Sequence, residues 1–226
     1  MKLYTIPYAG GFSFTYQKWR KFLDKGIELH PIEYPGRGRR FKESMCQTIE
    51  QMADNVMNQI VTEEEEYALF GHSMGAYVLL ELYSRIYRSN KSLPKHVIIS
   101  AMNPPHLYNP KGYHLLDNDQ FQTKMCEMGG IPPTITKDAE FSKYVFNLLL
   151  NDFKAVEDYE VADDMPLISC DISLFSSASD ISYDNMMQWN QYASMTCSYY
   201  EFEGSHFFIN EYVFETVSTI NTILGF

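Results

Sequence analysis

Tyr67-Ala68-Leu69-Phe70-Gly71-His72-Ser73-Met74-Gly75 carries an apolar strand pattern straight into Gly-x-Ser-x-Gly, and a helical pattern follows from Ala76 to Arg88. The five-residue motif is weak by itself; the strand before it and the helix after it give it meaning. A sharp strand-to-helix turn holds the residue at its apex in a strained conformation and tolerates only small residues two places to either side. Gly71 and Gly75 meet that demand, so Ser73 is expected to be a nucleophile. The bland alternative is an ordinary glycine-rich turn. Leu79, Leu82, Tyr83 and Ile86 share one face of the following helix, a stripe suited to packing on a sheet.

Outward from this turn, periodicity predicts strands over Lys2 to Tyr8, Ile27 to Tyr34, His96 to Ala101, Asp171 to Ser177 and Cys197 to Phe202. Helices are expected near Thr15 to Asp24, from Thr48 to Val61, near Tyr183 to Tyr192, and from Asn210 to Leu224. The alternation implies an α/β fold in one domain over residues 1–226. A mostly parallel twisted sheet would carry helices on both faces, with the active-site loops at the carboxyl ends of its strands. The stretch from Pro105 to Pro166 breaks the rhythm with helical patterns around Gly129-Gly130-Ile131-Pro132-Pro133, and reads as an inserted helical lid. Its Phe121, Met125, Met128, Phe141, Tyr144, Phe146 and Phe153 lie at roughly helical spacing, most of them to pack the lid itself. Glu63-Glu64-Glu65-Glu66 reads as a solvated loop.

Composition narrows the function classes. The chain has 226 residues, 45% hydrophobic and 21% charged, an ordinary globular balance with a high aromatic share of 15%. A net charge of −11 argues against nucleic acid, because phosphate binding needs a basic face. No stretch approaches the roughly 18 apolar residues of a membrane span, and Met1 to Pro7 lacks a signal peptide's apolar run, so a cytoplasmic enzyme is expected. Cys46, Cys126, Cys170 and Cys197 are scattered without metal-ligand spacing; free thiols and no metal site are expected.

A serine hydroxyl needs a general base, and the base needs a carboxylate to hold its tautomer. In this architecture the chain order is serine, acid, histidine. Of six histidines, only His206, in Glu203-Gly204-Ser205-His206-Phe207-Phe208, follows the last strand. Asp180 is the first carboxylate beyond the strand ending at Ser177, with Asp184 in reserve. One oxyanion-hole N–H is expected from Met74. The other is expected from Ala9, or Tyr8 beside it, in Pro7-Tyr8-Ala9-Gly10-Gly11.

With these segments placed, the chain resembles the stand-alone type II thioesterases of nonribosomal peptide and polyketide synthases, members of the α/β-hydrolase superfamily. The resemblance spans nearly the whole chain. It rests on Pro7 to Gly11, Pro35-Gly36-Arg37-Gly38-Arg39, Gly71 to Gly75, Leu116-Asp117-Asn118-Asp119-Gln120-Phe121, Gly129 to Pro132 and Gly204 to Phe208. It implies hydrolysis of acyl thioesters on the phosphopantetheine arm of acyl or peptidyl carrier domains, with no cofactor, and a monomer is expected. A minority of the apolar lid residues, with Met128 and Phe153 as candidates, are expected to line an acyl or pantetheine channel. The acid loop Ser176 to Asp180 lacks the family's usual glycine. The family's Leu-Arg-x-Asp-Phe lid segment reads Leu149-Leu150-Asn151-Asp152-Phe153 here, without the arginine. Carrier domains are typically acidic, so docking to this acidic chain needs a local basic patch; the cluster of Arg37, Arg39, Arg40 and Lys42 reads either as that docking surface or equally well as a solvated basic loop. An acyl-CoA or small-ester hydrolase, an acyltransferase or chain-releasing enzyme of the same fold, and a silent carrier-binding partner remain as alternatives.

Overall fold

In a computed structural model, which describes residues 1–60, 66–131 and 135–226, six parallel strands form one sheet in the order β2-β1-β3-β4-β5-β6. The strands are β1 (Lys2–Ile6), β2 (Glu28–Pro31), β3 (Tyr67–His72), β4 (His96–Ser100), β5 (Asp171–Ser177) and β6 (Ser198–Phe202). All six residues of β3 are buried, as expected where helices cover both faces of a sheet. Alternation along the strands divides the core. Tyr67 and Leu69 face one layer with Tyr4, Ile6, Val97 and Leu174, whereas Ala68 and Phe70 face the other with Leu3, Ile98 and Phe175. The first layer is closed by α1 (Ile49–Met57) and α2 (Met74–Arg88), the second by α7 (Val213–Ile223) and a 3-10 helix over Ser13–Lys21.

The strand order fixes where a site can form. β1 lies between β2 and β3, so the chain departs from β1 to one side and later returns to its other side. That reversal leaves a crevice beyond the carboxyl ends of β1 and β3. Pro7 to Gly11 and Ser73 both lie at that crevice.

Several expected elements are adjusted. The helix near Thr15 to Asp24 is 3-10, which aligns Tyr16 and Trp19, three residues apart, so that both bury against Phe70. Tyr183 to Tyr192 divides into α5 (Tyr183–Met187) and a 3-10 turn over Gln188–Tyr192, where the buried Trp189 indole donates to the Met102 carbonyl. Asn210 to Leu224 begins earlier, as α6 (Phe208–Glu211), and breaks at Tyr212 before α7. Val61, Glu63 to Glu65, Pro132 and Pro133 lie outside the described residues; Glu66 is exposed and pairs with Lys95 at 3.0 Å.

Between β4 and β5 the chain inserts α3 (Asn118–Met128) and α4 (Ala139–Glu157), capped at their N-termini by the Asp117 and Asp138 carboxylates. Phe121, Met125, Val145, Phe146 and Leu149 form a separate small core in this insertion. Further along α4, Ala155 and Val156 join the main core. The helix is therefore partly lid and partly body.

Candidate active site

Ser73 sits between β3 and α2 with φ 52° and ψ −124°, a strained backbone for a side chain with a Cβ. The motif glycines hold it there. A Cβ on Gly71 would lie 2.4 Å from the Gly75 carbonyl oxygen, and one on Gly75 would lie 2.3 Å from the Ile6 carbonyl oxygen. The Ser73 N–H donates to the Ser100 carbonyl at 2.8 Å, stitching the turn to β4. Met74 opens α2, so its N–H has no acceptor within the helix.

His206 Nδ1 lies 2.8 Å from Asp180 Oδ2, and both side chains are shielded, 31% and 18% exposed. A carboxylate oxygen accepts, so Nδ1 carries the proton and Nε2 keeps its lone pair. Ser73, Asp180 and His206 line one cavity of about 560 Å³, and His206 alone of the six histidines does so. His30 and His96 lie in strands, His106 stacks on Tyr192, and His114 is bonded to Glu157. Asp184 is exposed in the first turn of α5, away from this cavity. The acid loop needs no glycine, because no residue from Ser176 to Asp180 has a positive φ, and the Ser177 and Ser179 hydroxyls bond it to the Ser205 and Gly204 carbonyls of the His206 loop.

His72 supports this loop from below. Its Nε2 donates to the His206 carbonyl at 3.0 Å, and its Nδ1 accepts from the Ser100 hydroxyl at 2.8 Å. Complete burial, and secondly electrostatic coupling to the neighbouring His206, hold His72 well below the usual histidine range and keep it neutral.

Beside them, with the Tyr8 ring packed edge-on against His72 and Phe207, Tyr8 to Gly11 make a tight turn closed by Gly11 N–H to Tyr8 O at 2.8 Å, with Gly10 at φ +72°. The Gly10 N–H is taken by Asp152 Oδ2 at 2.8 Å. Ala9 lines the cavity, and its N–H has no acceptor among the described residues. Ala9 and Met74 line the same cavity as Ser73, each with an N–H that has no acceptor among the described residues. The remaining wall is mostly apolar, including Met102, Met128, Leu149, Phe153 and Phe207. A concave apolar site with few polar groups at one end suits an acyl chain.

The basic cluster is not as expected. Arg37 is 1% exposed and makes a bidentate pair with the fully buried Asp152, so it is part of the interior and not a docking residue. Arg40 is tied to Glu43, Asn55 and the Glu33 carbonyl. Arg39 and Lys42 stand exposed, without an ion pair among the described residues. The sequence reading also overlooked Asp152. The signal was present: one carboxylate in an apolar helical run, Leu148 to Phe153, where a charge needs a buried partner.

Among the described residues no cluster of His, Cys, Asp and Glu could hold a metal ion, and no helix is long and apolar enough to cross a membrane. Fold and site together define a serine hydrolase of the α/β-hydrolase kind. The family model described as thioesterase domain matches residues 1–224, and the chain belongs to that thioesterase family. The gramicidin S biosynthesis protein GrsT of Aneurinibacillus migulanus is 30% identical, over 96% of this chain and 86% of its own. The medium-chain S-acyl fatty acid synthase thioesterase of Homo sapiens is 29% identical, over 92% and 80%. Among solved structures, ClbQ from the colibactin nonribosomal peptide and polyketide pathway superposes with a TM-score of 0.92 at 27% identity, covering 99% of this chain and 96% of its own. YbtT, the type II thioesterase of the yersiniabactin pathway, gives 0.87 at 25%, covering 97% and 90%. The chain is similar throughout to type II thioesterases of such pathways, and it is an enzyme acting on thioester bonds.

Proposed function

We propose that this thioesterase clears acyl groups from the phosphopantetheine arm of acyl or peptidyl carrier domains, working in the cytoplasm beside a peptide or polyketide synthase. The observation that carries the reading is the Asp180–His206 bond in the same apolar cavity as a serine held on a strained turn. Ser73 Oγ attacks the thioester carbonyl while His206 Nε2 takes its proton, with Asp180 holding the ring. The Ala9 and Met74 N–H groups receive the negative charge that develops on the carbonyl oxygen. The C–S bond then breaks, and the pantetheine sulfur leaves with the proton from His206. In the second half His206 removes a proton from water as the water adds to the acyl-serine carbonyl, and the C–O bond to Ser73 then breaks while His206 returns the proton to Ser73 Oγ, giving the free acid. The cycle draws on side chains, backbone N–H groups and water, and the phosphopantetheine belongs to the substrate.

Intact-mass spectrometry of an acetyl-phosphopantetheine-loaded carrier, with wild type or Ser73→Ala and with acetyl-CoA in parallel, tests the reading. Loss of acetyl with wild type only, faster from the carrier than from CoA, supports it; equal rates or no loss overturn it. The human fatty acid synthase relative and the apolar cavity favour a second reading, release of medium-length fatty acyl chains. A decanoyl-loaded carrier cleared much faster than the acetyl one selects that reading.

A further inference from the structure

Asp152 lies on α4, in the inserted segment, yet three of its contacts reach the loops that frame the cavity. Its Oδ1 accepts from Arg37 Nη2 at 2.8 Å. Its Oδ2 accepts from both Arg37 Nη1 and the Gly10 N–H, each at 2.8 Å. Arg37 Nη1 also donates to the Gly11 carbonyl at 3.2 Å. The pair therefore grips the Tyr8–Gly11 turn by the N–H of one residue and the C=O of the next. Both side chains are essentially without solvent, at 0% and 1% exposure, and the Tyr34 ring covers the guanidinium at 4.9 Å.

Stability alone does not account for this arrangement. Removing two charges from water is costly, and well-packed apolar residues in place of a buried ion pair are often neutral or stabilising. The carboxylate supplies something an apolar pair cannot, an acceptor for the Gly10 N–H. A turn offers two orientations of its central peptide, here Ala9–Gly10, and exchanging them swaps the sides taken by the Gly10 N–H and the Ala9 C=O. With the Gly10 N–H fixed to α4 and the Gly11 N–H closing the turn, the Ala9 N–H is the one left for the cavity. A Cβ on Gly10 would lie 2.5 Å from Leu149 Cδ2, so α4 and the turn are in close register.

We propose that Asp152 is a positioning residue of the oxyanion hole, through which helix α4 of the inserted segment holds the Tyr8–Gly11 turn in its catalytic orientation. The proposal rests on the reading of Ser73 and Ala9 given above. It means that a lid movement lifting this part of α4 would dismantle the oxyanion hole, so α4 stays seated during turnover.

Two double variants separate positioning from packing. Arg37→Gln with Asp152→Asn removes both charges and keeps an acceptor for Gly10; Arg37→Met with Asp152→Leu removes both charges and the acceptor. Thermal midpoints are measured beside kcat and KM on p-nitrophenyl butyrate, which needs no carrier. The expected result is a kcat for the apolar pair roughly 100-fold below wild type, the cost of losing one oxyanion donor. KM stays within about 2-fold, and the amide pair recovers at least about 10-fold of the loss. Equal kcat for the two pairs overturns the proposal. If the apolar pair does not fold, Arg37→Gln with Asp152→Leu decides. That variant differs from the amide pair only in lacking the Gly10 acceptor, so its kcat should fall at least about 10-fold below that of the amide pair. A kcat equal to that of the amide pair overturns the proposal. Ser73→Ala in the same assay isolates the catalytic reading: full activity there sinks that reading, whereas a dead Ser73→Ala beside a fully active apolar pair sinks only the role of Asp152.

Discussion

The His72 imidazole donates from Nε2 to the backbone carbonyl of His206 at 3.0 Å, so the residue before the proposed nucleophile holds the loop that carries the proposed base. A carbonyl can only accept, which places the His72 proton on Nε2 and leaves Nδ1 to accept from Ser100. Protonating His72 would put a donor against the Ser100 hydroxyl and a charge into a site without solvent.

Stability should therefore depend on pH. His72 has its pKa depressed in the folded state by burial and by His206, while in the unfolded chain it titrates near the ordinary histidine value of about 6.5. Between those two values the unfolded state binds more protons, so the stabilisation is complete above about pH 6.5 and is lost as pH falls below it. The slope approaches about 1.4 kcal/mol per pH unit for one such group. His96, also depressed by burial, adds in the same direction. Denaturant unfolding from about pH 5 to pH 8 measures the slope, and His72→Gln should remove a large part of it. An unaltered slope in that variant means His72 is not the group responsible.

Asp180→Asn should lower kcat by up to roughly four orders of magnitude, because an amide at that place favours the wrong histidine tautomer. Asp184→Asn, exposed on α5, should stay within about 2-fold of wild type. The comparison is made on one acyl-pantetheine thioester with both proteins shown to be folded. The reverse ranking would reassign the acid.

Gly75→Ala should fail more severely than a typical glycine-to-alanine change within a helix. There alanine ordinarily stabilises by up to about 1 kcal/mol, but here its Cβ would stand 2.3 Å from the Ile6 carbonyl oxygen and 3.0 Å from that of Pro7. Backbone must yield on one side, and Pro7 leads into the Tyr8–Gly11 turn proposed to supply an oxyanion donor. Thermal unfolding should show a lower midpoint, and kcat should fall by more than the loss of folded protein explains.

What the sequence made legible follows from how local each signal is. The turn at Ser73 is written in contiguous residues, so its strand, helix and strained serine were all readable from residues 67–88. His206 and Asp180 were readable from chain order, since each follows the end of a parallel strand and such ends gather at one edge of the sheet. Arg37 was misread because its neighbours Arg39, Arg40 and Lys42 suggested one basic surface. Its partner is 115 positions away, and no periodicity announces such a pair. Asp152 carried a local signal, a lone carboxylate in an apolar helical run, but nothing that named its partner, and the helix near Thr15 to Asp24 was readable only as a helix because 3-10 and α patterns share the three-residue spacing.

The acyl wall can be tested at Phe153. Its ring meets Tyr113 and Phe121 edge-on at 6.0 Å each and closes one side of the cavity between α4 and the lid. Shortening it to alanine opens the cavity lining at that point, so longer acyl chains gain space while an acetyl group gains nothing. Each additional buried methylene is worth about 0.8 kcal/mol. Two newly accommodated methylenes should therefore raise kcat/KM for a decanoyl thioester, relative to acetyl, by roughly tenfold in Phe153→Ala. Rates on a series of acyl-pantetheine thioesters from two to twelve carbons give the profile. A uniform fall at every length would show that Phe153 only packs the lid; a loss confined to the short chains would place the acyl group against a different wall.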